Sequence, residues 1–182
     1  MSKTINAIIE DVLTAEGGYV NDARDAGGET NFGITLATAR ADGYAGTMRE
    51  LPRERAFEIY RRKYVVAPGF DKIVPISARI AAELVDTGVN MGPKVAAQFL
   101  QRALNALNNQ ARDYIDLAVD GVAGANTRLA LNSFLNRRGA DGEVVLLAAL
   151  NGLQAERYIS LAEARQSNEA FVFGWLKNRV LA

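Results

Sequence analysis

The sequence predicts an all-α, mainly helical fold with room for only a very short β element. Three observations lead there. Apolar residues recur at helical spacing along nearly the whole chain, glycines and prolines punctuate the pattern where helices should stop, and no segment sustains the alternation of a strand. With 182 residues, 49% apolar and 23% charged, the chain can bury a real core as one domain or two small ones.

The first helix is expected from Ile5, Ile8, Ile9, Val12 and Leu13, ended by Gly17-Gly18 as a glycine cap ends it, with Glu16 at its last turn. Residues 30–35 read as a short extended piece, as do 114–119. Pro52 to Tyr64 suits a helix with proline in its first turn, and the stretch VAPG stops it. Ser77 is an N-cap for a helix running to Asn90, broken by Gly92-Pro93. The next helix starts at Pro93 and sets Val95, Phe99, Leu100, Ala103, Leu104 and Leu107 on one face. After a turn at Asp120-Gly121, helical patterns follow over 126–136, 141–165 and 168–181.

Two absences narrow the chemistry. The chain has no cysteine and no histidine. Disulfides, thiolate nucleophiles, Ser-His-Asp triads and the usual catalytic zinc sites are thereby excluded, which leaves carboxylates, hydroxyls, lysines or a carboxylate-bound metal. Basic and acidic residues balance at 21 each, so the chain lacks the footprint of a nucleic-acid binder.

The most unusual stretch is EGGYVNDARDAGGETNFGIT, residues 16–35, with five glycines and four acidic residues. A solvated surface loop is the plain reading. A calcium loop fails on spacing here, and DLAVDGVAGANT at 116–127 fails on Ala118 and Thr127. Glycoside hydrolysis needs one carboxyl kept protonated and usually a second kept ionised. The carbonyl end of a helix disfavours a charged carboxylate, which suits Glu16 to the first role. Asp25 or Asp22, on a polar glycine-rich loop, suits the second, and Gly27 and Gly28 allow a backbone to approach a substrate closely.

These residues resemble glycoside hydrolase family 108, phage-type N-acetylmuramidases of lysozyme-like fold, through Glu16-Gly17-Gly18-Tyr19, Asn21, Asp25, Gly27-Gly28, Thr30 and Gly33-Ile34-Thr35. The resemblance implies that Glu16 is the catalytic acid. The order Glu16, Asp25, Thr30 is also similar to the Glu, Asp, Thr arrangement of T-even phage lysozymes, with the last gap one residue shorter. That difference leaves Thr30 either orienting water or only shaping the loop. Tyr19, Asn21, Asp22, Gly28 and Asn90 are the candidate substrate-binding residues, although Asn90 equally suits a structural hydrogen bond. Tyr64 and Trp175 are weighed as sugar-stacking aromatics, Trp175 more readily as core. Glu29 reads as solvent-facing, and Arg61, Arg62 and Lys63 as a solvated helix face.

Further along, FLQRALN at 99–105 and VDGVAGANT at 119–127 resemble helical peptidoglycan-binding modules, and NEAFVFGWLKNR resembles the family's closing helix. The expected organisation is a lysozyme-like catalytic segment over 1–95 and a helical peptidoglycan-binding-like segment over 96–182, packed as one unit. The resemblance implies a lysozyme-type muramidase that cleaves the β-1,4 bond between N-acetylmuramic acid and N-acetylglucosamine, without cofactor or metal. A lytic transglycosylase and a non-catalytic wall-binding or secretion-accessory protein are the alternatives. Its partners would be peptidoglycan glycan strands and a holin for release, with no nucleic acid, no stable membrane association and a monomeric state. The N-terminal stretch reads as neither signal peptide nor anchor, so the expected route is cytoplasmic synthesis followed by release to the periplasmic wall.

Overall fold

Helix α1, Ile5–Glu16, begins where the Thr4 side chain accepts a hydrogen bond from the Ala7 amide and ends where Gly17 turns out of helical conformation at φ 73°. The computed structural model describes residues 4–21 and 28–180. A hairpin follows, β1 Thr30–Asn31 paired antiparallel with β2 Ile34–Thr35, and leads directly into α2, Leu36–Ala41. A 3-10 turn at Met48–Glu50 precedes α3, Arg53–Arg61, which continues as a wider π-turn over Arg62–Val66.

Helix α4, Ala78–Met91, packs against α1, α5 and α6. Ser77 caps it, accepting from the Ile80 amide at 3.0 Å and donating to Glu143 at 2.6 Å. Gly92 separates α4 from α5, Pro93–Ala106, at φ 92°. The long run α6, Ala125–Ala164, is two helices that meet at Gly139, whose φ of 60° and ψ of −147° interrupt the ladder. The interruption falls between the two expected helical patterns. After a 3-10 turn, α7, Glu169–Trp175, and a final π-turn close the described chain.

One apolar core runs through both halves. Ile9 and Leu13 of α1, Ile80 and Leu84 of α4, Leu100 and Leu104 of α5, Leu131, Leu146 and Leu150 of α6, and Phe70 from the 3-10 turn ahead of α4 are all buried within it. Each such side chain is worth about 1.5–3 kcal/mol when removed from water. This shared core is what fixes the two halves against each other. No helix among the described residues is long and apolar enough to cross a membrane.

The strap over 114–122 forms no strand and is held by side chains of α5 and by Asn108 just beyond it. Gln101, Asn105 and Asn108 lie on one face of that end of the chain, and their amides serve as surrogate strand groups. Asn105 donates to the Leu117 carbonyl and accepts from its amide, both at 2.8 Å. Asn108 does the same to Tyr114 at 2.7 and 3.0 Å. Gln101 accepts from the Gly121 amide at 2.9 Å and donates to Asp120 and the Val122 carbonyl. The Asp120-Gly121 turn is therefore pinned by side chains.

Candidate active site

The two-residue turn of the hairpin sets the site's geometry. Phe32 and Gly33 both have positive φ, 51° and 69°, as a type I′ turn requires to match the twist of its strands. Phenylalanine adopts that conformation at a cost of about 1–2 kcal/mol, so it needs support. The Tyr60 hydroxyl supplies it by donating to the Phe32 carbonyl at 3.1 Å, and the Arg53 guanidinium lies 5.9 Å from the ring centroid. Asn31 anchors the hairpin from below, donating its buried side-chain amide to the Met48 carbonyl at 2.8 Å.

Gly33 faces the end of α1. A β-carbon there would lie 2.7 Å from Glu16 Oε2, 2.9 Å from Glu16 Cδ and 2.9 Å from the Tyr60 hydroxyl. A side chain at this point would press on both the carboxyl and the phenol. Glu16 itself is exposed. Tyr60 is buried, and burial first, then the Glu16 charge, then Tyr64, push its phenol up to about 12. It stays a hydrogen-bond donor throughout the physiological range.

Tyr60 also stacks on Tyr64, with ring centroids 5.6 Å apart and planes 24° from parallel. Gly33, Thr38, Tyr60, Lys63 and Tyr64 enclose a small cleft of about 40 Å³. An accessible carboxyl across Gly33 from a cleft lined by a phenol and a second aromatic ring can carry out acid-base chemistry on a sugar. Among the described residues no three acidic side chains gather to hold a metal ion.

The expected site residues fall out as follows. Thr30 opens β1, where its backbone exchanges hydrogen bonds with Val20 at 2.8 and 2.9 Å, tying the chain beyond Glu16 to the hairpin. Tyr19 donates to Glu29 at 3.0 Å, and the Arg49 guanidinium covers its ring at 4.5 Å. Glu29 is thus half-buried and engaged, where a solvent-facing side chain was expected. Asn21 and Gly28 are exposed, and Gly28 has a φ of 69°. Asp22, Asp25 and Gly27 lie outside the described residues. Asn90 is exposed near the end of α4, its amide donating back to the Asp86 carbonyl at 2.7 Å. Trp175 stacks on Tyr158 at 5.2 Å and Phe171 at 6.0 Å in the packing of α6 and α7.

Two residues gain importance that spacing alone did not give them. Tyr60 reads in sequence as one more apolar contact of a helix, though its i, i+4 relation to Tyr64 is the signal of a stacked pair. Lys63 and its neighbours were expected on a solvated face. All three are exposed, and in addition Arg62 pairs with Asp42, while Lys63 lies 5.1 Å from the Tyr64 ring centroid and borders the cleft.

With this geometry in view, the comparisons with known proteins divide the chain cleanly. Residues 9–92 match the family Glycosyl hydrolase 108, and residues 95–180 match the family described as Predicted Peptidoglycan domain. A structure described as that of Brucella abortus SagA is similar over 97% of this chain and 88% of that one, at 26% identity and a TM-score of 0.62. No match is found among curated proteins. The chain is a glycoside hydrolase directed at peptidoglycan: residues 9–92 belong to the glycosyl hydrolase 108 family, and residues 95–180 to the peptidoglycan domain family.

Proposed function

We propose that the protein is an N-acetylmuramidase of the lysozyme type, cleaving the β-1,4 bond between N-acetylmuramic acid and N-acetylglucosamine with Glu16 as general acid. The observation that carries this reading is the seating of the Glu16 carboxyl against Gly33, beside the Tyr60 hydroxyl and the Tyr60–Tyr64 stack. In this position Glu16 protonates the leaving glycosidic oxygen as positive charge develops on the sugar ring. Asp25 serves as the second carboxylate, either stabilising that charge or activating water, and Thr30 helps to place the water. The Tyr60 hydroxyl, already given to the Phe32 carbonyl, holds the turn that seats Glu16.

The resemblance of residues 16–35 to phage-type muramidases further supports an endolysin, released to the wall through the membrane pore of a holin. Purified peptidoglycan incubated with the wild-type chain and with Glu16→Gln tests the catalytic part. Soluble fragments released by the wild type and reduced by about 10²-fold or more in the variant are expected for loss of a general acid. Equal release by both chains would remove Glu16 from the mechanism.

A further inference from the structure

Three hollows on the protein are linked by the residues they share. The first is the small cleft beside Glu16, to which Lys63 contributes. Lys63 also borders a trough of about 440 Å³ at the seam of the two segments, where Ala67 and Pro68 face Lys94, Asp120 and Val122. Asp120 and Val122 in turn border a cavity of about 470 Å³ between the 114–122 strap and the first turns of α6.

Two local features build the junctions. The π-turn over Arg62–Val66 widens the end of α3 by a residue, and Lys63 and Tyr64 both reach the cleft from within it. At the seam, a β-carbon on Gly121 would lie 2.4 Å from Lys94 Cγ and 3.0 Å from the Lys94 carbonyl, and Gly121 has a φ of 79°. Glycine alone lets the strap lie flat on Lys94 there, which fixes the lysine at the edge of the trough.

The charge of the seam is unbalanced. Two ammonium groups, Lys63 and Lys94, line it against the single carboxylate of Asp120. That carboxylate already accepts from Gln101 Nε2 at 2.7 Å and the Val122 amide at 2.8 Å. Beyond it, the cavity offers apolar side chains, among them Ile115 at 88% exposure and Leu129 at 65%, and one further carboxylate, Asp116, which accepts from Asn108 Nδ2 at 2.8 Å. A cationic trough that opens on an apolar hollow fits an anionic peptide with small apolar side chains. On a peptidoglycan strand that carries its stems the muramic lactyl carboxyl is taken up in the amide to the stem, so the free carboxylates and the alanyl methyls belong to the peptide.

We propose that the substrate groove runs from Glu16 across the seam, and that Lys63 and Lys94 engage the carboxylates of a peptide stem while the cavity at Ile115 and Leu129 receives its alanyl part. The inference rests on the peptidoglycan reading above and deepens it. The second segment then acts as an extension of the catalytic groove and selects strands that carry peptides.

Binding tests this with the full chain carrying Glu16→Gln and short fluorescent glycan strands, one set bearing peptides and one stripped of them by an amidase, with the lactyl carboxylates so freed capped as methylamides. The expected result is tighter binding of peptide-bearing strands. Lys63→Ala with Lys94→Ala reduces that preference roughly tenfold, whereas Lys63→Arg with Lys94→Arg retains it. The preference also shrinks with added salt, as contacts between exposed charges do. No initial preference, a preference unchanged by the alanine pair, or equal weakening of both strand types would overturn the inference. Wild-type turnover is measured in parallel. A chain that shows the lysine-dependent preference and cleaves neither strand would overturn the hydrolase reading and leave the peptide site standing.

Discussion

Glu16 Oε2 and Gly33 are packed so closely that a β-carbon on the glycine would lie 2.7 Å from that oxygen. Gly33→Ala therefore does two things at once. It places alanine at a φ of 69°, costing about 1–2 kcal/mol, and it drives the carboxyl away from the Tyr60 hydroxyl. Unfolding in denaturant should show that loss. Cleavage per folded molecule should fall at least roughly tenfold, as expected for a misplaced catalytic group. Undiminished turnover in a folded variant would make the contact incidental.

Tyr60→Phe isolates the hydroxyl from the ring. The stack on Tyr64 survives, while the bond to the half-buried Phe32 carbonyl is lost, a cost of about 0.5–1.5 kcal/mol. Ultraviolet titration gives a second handle on the same group. Burial pushes Tyr60, Tyr114 and Tyr158 up to about 12, so these three of the six tyrosines should ionise well above the usual phenol range and return to it on unfolding. A single transition for all six near the ordinary value would contradict their burial.

The side-chain amides of Asn105 in α5 and of Asn108 just beyond it are predicted to hold the strap, each by a pair of bonds to its backbone. Asn105→Ala and Asn108→Ala each leave a strap amide and carbonyl without partners and should cost about 1–3 kcal/mol. Asn132→Ala, on the exposed face of α6, should stay within about 0.5 kcal/mol. Chemical denaturation of the three variants side by side checks the difference.

Glu83 makes stability depend on pH. It is largely buried between α4 and α6, hydrogen-bonded by Thr87 at 3.2 Å and, with its amide turned to donate, by Asn151 at 3.2 Å to both oxygens. Burial first, and the nearby Asp86 charge second, push its carboxyl up to about 7. The folded chain then holds a proton that the unfolded chain releases at ordinary carboxyl values. Its contribution is greatest below pH about 4.5 and declines as pH rises to about 7, by about 3 kcal/mol in all. Glu83→Gln should remove that decline and stabilise the chain above pH 7. A variant with the wild-type pH slope would assign the dependence to other groups.

Much of this architecture is legible in the residues. The α1 stop at Gly17, the Ser77 cap and the Gly92-Pro93 break depend on local chemistry, and each appears where it was expected. The hairpin over 30–35 was foreseen as an extended piece. An extended piece was expected at 114–119 too, but no strand forms there, and the segment's partners are side chains of α5 and Asn108, which no strand pattern encodes. Helix α2 is too short, at six residues, to show a period.

The site divides in the same way. Glu16 stood out through its helix end and its glycines, whereas Tyr60 and Lys63 owe their place to a π-turn and a close tertiary approach. Both are products of packing between segments far apart in the chain.

The most direct test of the central claim is mass spectrometry of the ends left on purified peptidoglycan by the wild-type chain and by Glu16→Gln. Reducing N-acetylmuramic acid ends, produced by the wild type and absent with the variant, are the predicted result. Reducing N-acetylglucosamine ends, 1,6-anhydro ends, or muramic ends that persist in the variant would contradict it.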